Sequence, residues 1–524
     1  MNQIDYAIIA AGEGSRLREE GIEYPKPLVP LDGIPVLKRL IDLFVANHAA
    51  SISLIINEEM TEVREYVNSL SLSIPFHVIV RSTPSSMHSF KELSTCLNGD
   101  RFCLTTVDTV FNAERFSQFI NGFITDPDTD GWMAVTDYID DEKPLYVGVD
   151  SQIRVEGFYD TNEHNCTYIS AGIYALTSKS IAVLDQCIAE GNARMRNFQR
   201  RLVLEGFRLK AFNIGKVIDI DHTADVCKAH QLIGAPFRVA AVRRDTVFSP
   251  NHIENDEAIM AAVIAGLRSA GVEVLEFSEA EFQPTIDRFK LVVHAGRSVS
   301  FVNKLERFEQ MGGVAINSVA ALKNSRRVAF TSLMLDHEMP HPQSWLIDTS
   351  NSPSIEGDGF WVKNTADYTR FADDVTFAAD GNKLKDELMR FRVRGIDKVV
   401  VSHHVKGDIV KFYCLRDDSF FYWCYPQTWG HSKFGHEAIN GELNHYPFDE
   451  NRLRRLAIEA AKVLDLELLG GDAVVTPTGD IILIDVNDFP SFKPCANQAA
   501  EAIVRFVMLK LIHYGDGNKS RENL

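Results

Sequence analysis

The feature that most constrains this chain is the junction between a short apolar run and a glycine-bearing turn near its start. Tyr6-Ala7-Ile8-Ile9-Ala10 leads into Ala11-Gly12-Glu13-Gly14-Ser15-Arg16-Leu17, and Pro25-Lys26-Pro27-Leu28 comes shortly after. Such a run reads as a buried strand, and glycine lets the backbone approach a ligand closely or take φ > 0. A strand, turn and helix of this make-up can aim backbone N–H groups at phosphate oxygens. Arg16 adds a forked guanidinium on the first helical turn. Lys26, held between two prolines on a stiff extended segment, adds a point charge. Taken alone, a Gly-x-Gly after a strand also fits a plain tight turn.

The next segments decide between these readings. Val36 to Ala46 has helical apolar spacing, Ile52 to Ile56 reads as a strand, Glu58 to Leu70 as a helix and Phe76 to Val80 as a strand. Strand and helix alternate, which predicts a mainly parallel sheet with helices on both faces and ligands at the C-terminal strand ends. Phe102 to Phe111 reads as one buried strand carrying an acid, Asp108. A carboxylate in an apolar run is costly unless paired or bound to a cation, so Asp108 is a candidate Mg²⁺ ligand, with helix capping as the alternative.

The string G-x-G-x-R-L followed by P-K-P-L resembles the signature of nucleotidyltransferases that make nucleotide-activated sugars, cholines and polyols. Ser170-Ala171-Gly172-Ile173-Tyr174 is similar to the acceptor-side strand of that family, Asp141-Glu142-Lys143-Pro144 fits the same pattern, and Val217-Ile218-Asp219-Ile220-Asp221-His222-Thr223-Ala224-Asp225 resembles its late aspartate segment. The resemblance implies that Ala11, Gly12 and Gly14 hold phosphate oxygens, Arg16 the leaving pyrophosphate, and Lys26 the α-phosphate with the acceptor. Ser85 and Ser86, in Thr83-Pro84-Ser85-Ser86-Met87-His88-Ser89, stand where the family reads the nucleobase, although a Ser/Pro turn is also an ordinary loop. Asp108 and one of Asp219 or Asp221 would hold Mg²⁺ (or Mn²⁺). Asp221 is favoured because the family's spacing leaves Asp225 as helix cap. The D-I-D-x-T ending looks more like the cytidylyltransferases than the hexose enzymes, so CTP is the preferred nucleotide, with UTP, GTP and ATP open.

Charge excludes one broad class. With 72 acidic against 54 basic residues the net charge is −18, which argues against a general nucleic-acid binder. The eight cysteines are scattered without a C-x-x-C pair, which points to reduced core residues in a cytoplasmic protein. No apolar stretch is long enough to span a membrane. The partner expected is a small-molecule phosphate or polyol, with room for a homo-oligomer.

The second half restarts the pattern. Gln231 to Phe237 reads as a linker, Arg238 to Val242 as a strand, Asp256 to Ala270 as a helix, Val272 to Phe277 and Leu291 to Arg297 as further strands. This half of the chain resembles an ATP-grasp domain, on Lys363 in Gly359-Phe360-Trp361-Val362-Lys363, on Val399 to Tyr413, and on Gly470-Gly471-Asp472 with Ile481 to Phe489. The resemblance implies that two sheets clamp ATP, Lys363 contacts its α- and β-phosphates, and the His403–Val405 segment, with His404 and Val405, faces adenine. Asp485-x-Asn487, with Asp472 one hairpin upstream, can put three oxygen ligands on one face of adjacent strands; closing a hairpin is the plainer alternative. Ile484-Asp485-Val486-Asn487-Asp488-Phe489-Pro490 and Lys411-Phe412-Tyr413 are similar to strings of the inositol-polyphosphate kinase branch, so Lys411 would hold a phosphate. Trp423, Trp429 and Phe434 read as packing, with His431 or Lys433 as a lesser substrate contact. Asn451 to Leu464 reads as an amphipathic helix with a solvated basic face, and Asp516 to Leu524 as a frayed end.

The expected architecture is therefore α/β: a Rossmann-like nucleotidyltransferase with a mostly parallel mixed sheet over residues 1–232, then an ATP-grasp fold with an α/β subdomain at 236–330 and its catalytic region at 331–515. The expected activity is bifunctional. The second half phosphorylates a small polyol, sugar or amino-alcohol with ATP, and the first couples that phosphate to a nucleotide. A carboxylate–amine ligase in the second half is the alternative.

Overall fold

The computed structural model describes residues 3–12, 14–140, 143–248, 253–351, 355–366, 371–426 and 439–515. The chain divides into two compact units, Met1–Phe237 with Met508–Leu524, and Arg238–Val507.

In the first unit Ile4–Ala10 is buried along its whole length. It lies parallel between Ala49–Ile56 and Arg101–Thr106, with Phe76–Val80 parallel on the far side of Ala49–Ile56. Burial of both faces accounts for the unbroken apolar run. Tyr6 and Ile8 pack in one core with Leu37, Phe44 and Phe116, while Ala7 and Ile9 pack in another with Met87, Phe90 and Phe198. Tyr6 stacks on Phe44 at 4.2 Å and donates its hydroxyl to the Asn47 carbonyl at 2.7 Å. Truncating so enclosed an aromatic costs roughly 3–5 kcal/mol. The helix Val36–Ala46 has the expected bounds. Thr61–Ser69 starts later than its spacing suggests, after a turn in which the Asn57 carboxamide oxygen accepts the Glu59 N–H.

Two expectations are corrected here. The nine-stranded sheet is mixed, as expected, but not mostly parallel: beside a Rossmann-like half, Tyr168–Thr177 runs antiparallel to Arg101–Thr106, Gly131–Thr136 and Tyr146–Val149, and Val155–Tyr159 extends the edge. The connections joining residues 146–177 are too short for crossover helices, which forces hairpin geometry. Phe102 to Phe111 is likewise not one strand. Arg101–Thr106 belongs to the large sheet, a turn comes next at Val107-Asp108, and Thr109–Phe111 pairs antiparallel with Val217–Asp219 in a separate ribbon. Both halves are buried and apolar, so hydropathy could not reveal the break.

The second unit begins with a parallel sheet in the order Glu273–Ser278, Arg238–Arg243, Leu291–His294, Val314–Ile316. Two four-stranded antiparallel sheets come after it. One runs Ser344–Asp348, Lys398–His403, Phe360–Asn364, Val375–Ala378, and the other Phe421–Cys424, Asp408–Leu415, Leu468–Val475, Ile481–Asn487. The apolar run Val399 to Tyr413 is thus shared between two sheets. Gly407 sits at the crossing, where a Cβ would come within 2.1 Å of the Val475 carbonyl oxygen. Helix Glu450–Leu464 buries Leu453, Leu456, Ala457, Ala460, Ala461 and Leu464. Its arginines form exposed ion pairs, with Arg452 3.8 Å from Asp480. Trp423 packs against Phe448 and donates to Glu450.

All eight cysteines are free, six of them buried. Among the described residues no helix is long and apolar enough to cross a membrane. Asp141, Glu142, Trp429, His431, Lys433, Phe434 and Asp516 to Leu524 lie outside the described residues.

Candidate functional site

The first site forms where the glycine turn meets the Val107-Asp108 turn. Gly14 has φ +63° and ψ 31°, and a Cβ there would stand 3.1 Å from Lys26 Cβ, so only glycine lets the turn lie against Lys26. The Val107 N–H donates to the Ile9 carbonyl at 3.0 Å and the Ile220 N–H to the Asp108 carbonyl at 3.1 Å, which brings the late aspartate segment alongside. Lys26 Nζ then lies 2.5 Å from Asp108 Oδ2 and 2.6 Å from Asp221 Oδ1, and Arg16 is 3.9 Å from Asp221. Burial opposes the charge on Lys26, whose side chain is 11% exposed, but the two carboxylates outweigh it and hold its pKa above the usual lysine range. Asp221 is held below its usual value: burial works against that, and the Lys26 ammonium prevails.

Sequence reasoning set Asp219 aside in favour of Asp221, and the structure brings both to the site. Asp219 lies opposite Thr109 in the ribbon, near the Asp108 and Asp221 carboxylates, and part of its surface is exposed to solvent. Loss of surrounding water, then the Asp108 carboxylate, push its pKa up to about 7. The folded state therefore holds a proton that the unfolded chain releases near the usual aspartate value of 3.8. The unfolded state binds fewer protons across that window, so Asp219 lowers stability as pH rises from about 4 to about 7. We expect the melting temperature without added metal to fall between pH 5 and pH 8, Asp219→Asn to remove part of that fall, and Mg²⁺ to reduce it. A pH slope identical in Asp219→Asn and the parent would rule this out.

The rest of the segment is structural. Asp225 accepts the backbone N–H groups of Asp221 and His222, capping helix Thr223–Leu232. His222 Nδ1 meets Glu20 Oε1 at 2.6 Å, and Glu20 also accepts the Thr223 N–H, which ties the end of helix Ser15–Glu19 to this strand end. The Glu20 carboxylate raises the His222 pKa. Ser85 caps helix Ser86–Ser94 and bonds His88 Nδ1 at 2.8 Å, so its hydroxyl already has a structural task beside the expected one; Ser86 opens that helix. A Cβ at Gly12 would meet nothing within 4 Å, and Ala11 accepts from the Asn57 carboxamide.

Residues 6–166 match the MobA-like NTP transferase domain family. The chain is also similar to the Bifunctional protein GlmU of Methanococcus maripaludis strain C5, 24% identical over 43% of this chain and 54% of that protein. Similarity to the CMP-5′-(3-aminopropyl)phosphonate synthase of Streptomyces rubellomurinus is 27% identity over 26% of this chain and 24% of that one. The chain thus spans about half the length of the first relative and about a quarter of the second. A solved inositol-1-phosphate CTP transferase from T. maritima aligns at 20% identity over 44% of this chain and 96% of its own, with a TM-score of 0.39. Residues 6–166 thus carry a domain similar to the MobA-like NTP transferases.

In the second unit a cavity of about 320 Å³ gathers most of the remaining candidates. Lys363, on Phe360–Asn364, lines it together with Asp472, Asp485 and Asn487. Asp472 is directly opposite Asp485, and Gly470 opposite Asn487, with a register shift after Asp472. Lys363 Nζ donates to the Ile484 carbonyl at 3.3 Å. Burial pushes the Lys363 pKa down, and the Asp485 charge works the other way. Gly470 and Gly471 serve packing: a Cβ would stand 2.8 Å from Pro490 and 2.4 Å from the Phe412 ring, respectively.

Lys411 and His404 do not line this cavity. Lys411 lies opposite Asp472 in register and pairs with it at 2.6 Å. His404 lies just past the end of strand Lys398–His403 and accepts the indole N–H of Trp361, itself a cavity-lining residue, at 3.2 Å. Sequence reasoning missed Arg297, Asp488, Arg327 and His341, which also line the cavity. Arg297 and Asp488 form a buried pair at 2.6 Å, and burial pushes the His341 pKa down to about 4. Asp488 stands inside the Ile484–Pro490 string, where only its neighbours Asp485 and Asn487 were singled out; for Arg327 the adjacent pair Arg326 and Arg327 was the available signal.

Among the described residues no group of three or more His, Cys, Asp or Glu is arranged to hold a metal ion. The donor sets present, Asp108 with Asp219 or Asp221 and Asp485 with Asp472 and Asn487, suit Mg²⁺, which takes one or two carboxylates plus phosphate oxygens and water. Asp219 stands near the Asp108 and Asp221 carboxylates, and a cation there would offset their mutual repulsion.

Proposed function

We propose that the first unit transfers a nucleotidyl group, CMP from CTP, to a small organic phosphate, and that the second is an ATP-grasp-type kinase that makes this phosphate from a polyol, sugar or amino-alcohol. The observation that carries the first half is Lys26, bonded at once to Asp108 and Asp221 beside the Gly14 turn. An oxygen of the acceptor phosphate attacks the α-phosphorus, the bond to the β-phosphate bridging oxygen breaks, and pyrophosphate leaves with that electron pair. Such a transfer needs placement and charge neutralisation more than covalent help. Lys26 would leave its carboxylates for the α-phosphate and the incoming oxygen, and Arg16 would hold the leaving pyrophosphate. Asp108 with Asp221 or Asp219 would hold Mg²⁺, which supplies positive charge to the phosphates. The similarity to a CMP-phosphonate synthase supports a cytidylyl reading.

For the second unit, Lys363 facing Asp485 across a cavity between two antiparallel sheets supports a clamp on ATP. Lys363 would contact the α- and β-phosphates, and Asp472, Asp485 and Asn487 would hold Mg²⁺. Lys411 would act through the carboxylate of Asp472. Val405 and its neighbours would face adenine, with His404 shaping that corner through Trp361.

The deciding experiment incubates the full chain with Mg²⁺, ATP and each NTP in turn, against a panel of polyols, sugars, amino-alcohols and their phosphates, and tracks products by mass spectrometry. The expected result is a phosphorylated acceptor with ADP, then a CMP-linked product with pyrophosphate. ADP formed only when an acid and an amine are both present would instead make the second unit a ligase. No triphosphate turnover over the whole panel would overturn the proposal.

A further inference from the structure

Resting on the ATP reading of the second-unit cavity, we infer that Asn440 is a specificity-determining residue that selects an amino-bearing base, adenine over 6-oxo purines. Asn440 lines the cavity beside Val405. Its carboxamide Nδ2 donates to the Val405 carbonyl at 3.2 Å and to the Gly407 carbonyl at 3.0 Å. Carbonyl oxygens only accept, so this pairing assigns the amide orientation, and it engages both N–H bonds of the group. The only hydrogen-bonding capacity left to the side chain is the Oδ1 acceptor.

The scaffold around it is tightly held. Asp408, buried, accepts the Asn444 N–H and the Tyr446 N–H at 2.8 Å each, which anchors the segment carrying Asn440. Gly407 admits no side chain against Val475, so its carbonyl has little freedom to move away. Asn440 therefore cannot rotate its amide without abandoning two hydrogen bonds and leaving both carbonyls without that donor.

The consequence concerns the base. The Val405 carbonyl, the natural main-chain acceptor at this corner, already takes a proton from Asn440, while the Val405 N–H has no partner among the described residues. The corner offers one acceptor, Asn440 Oδ1, and one donor, the Val405 N–H. Adenine presents the complement, a 6-amino donor beside the N1 acceptor. Hypoxanthine and guanine present a 6-oxo acceptor beside an N1–H donor, which would set acceptor against acceptor and donor against donor. Discrimination arises because a buried polar group left unpaired is penalised more heavily than a matched one is rewarded. Trp361, Ile409 and Val474, which also line the cavity, offer apolar surface for a ring.

The test uses 2-azidoadenosine triphosphate with Mg²⁺ on the full chain, photolysed and mapped by mass spectrometry, with ATP or ITP as competitor. Label on second-unit peptides lining the cavity is expected, with ATP displacing it at concentrations at least tenfold lower than ITP. In Asn440→Ala and Asn440→Leu, which both remove the Oδ1 acceptor, that preference is expected to shrink to threefold or less. A purely structural role would weaken both competitors alike and leave their ratio unchanged. Equal competition by ATP and ITP in the unsubstituted protein, or an unchanged ratio in both variants, overturns the inference while leaving the ATP site standing. Absence of label from the second unit overturns both.

Discussion

Replacing Lys26 with alanine is expected to cut pyrophosphate release from CTP by on the order of a thousandfold, the upper range for losing one preorganised donor to a developing charge. Lys26 is the cation that Asp108 and Asp221 share, at 2.5 and 2.6 Å, and its side chain is nearly enclosed. Without it, the carboxylates of Asp108, Asp219 and Asp221 would have only the longer Arg16–Asp221 contact to offset their repulsion. Asp219, already pushed up to about 7, would rise further. The variant should therefore also lose more stability at pH 8 than at pH 5, since protonation relieves the repulsion only at the lower pH. Lys26→Arg keeps the charge but must fit a planar fork where a slender ammonium reaches between two carboxylates, so it should recover stability better than rate. Pyrophosphate assays with the acceptor found in the substrate panel, together with thermal melts at both pH values, check this. A Lys26→Ala protein that retains more than a tenth of the parental rate would remove Lys26 from the chemistry.

The legible parts of the chain were those written in local periodicity. The alternation of apolar runs and helical stripes placed Ile4–Ala10, Val36–Ala46 and Phe76–Val80. Burial of both faces also explains why Ile4–Ala10 reads as a solid apolar run. Illegible features were those decided by pairing at a distance. Nothing within Phe102 to Phe111 shows that the strand leaves one sheet and joins another at Asp108, because both destinations are apolar. Lys26 and Asp221 are 195 positions apart, and only a resemblance could suggest that they meet. That resemblance named Asp221 but could not weigh Asp219, whose role depends on its pairing with Thr109 and its closeness to Asp108. The Arg297–Asp488 pair joins residues far apart in the chain, and the Asn440 contacts come from an isolated residue, so neither leaves a local period to read.

The complementary experiment addresses the second cavity. Asp485→Ala and Lys363→Met should each lower ADP formation more than a hundredfold while leaving pyrophosphate release from a supplied acceptor phosphate within threefold of the parent. The first half of that expectation comes from the surroundings of each side chain. Lys363 is a buried ammonium whose pKa burial has already lowered, and Asp485 is the charge that most supports its protonation. On the proposed reading, removing Asp485 would take away an oxygen ligand and also weaken the cation proposed for the phosphates. Methionine at 363 keeps much of the side-chain volume, so loss of rate there reports the charge rather than a cavity. The second half comes from the way the candidate residues divide: Arg16, Lys26, Asp108 and Asp221 all belong to one compact unit, and Lys363, Asp472, Asp485 and Asn487 to the other. Asp108→Ala should give the mirror image, stopping pyrophosphate release and sparing ADP formation. If Asp485→Ala abolished both activities with the fold intact by circular dichroism, the two sites would be coupled, and the separate assignment of kinase and transferase steps would fail.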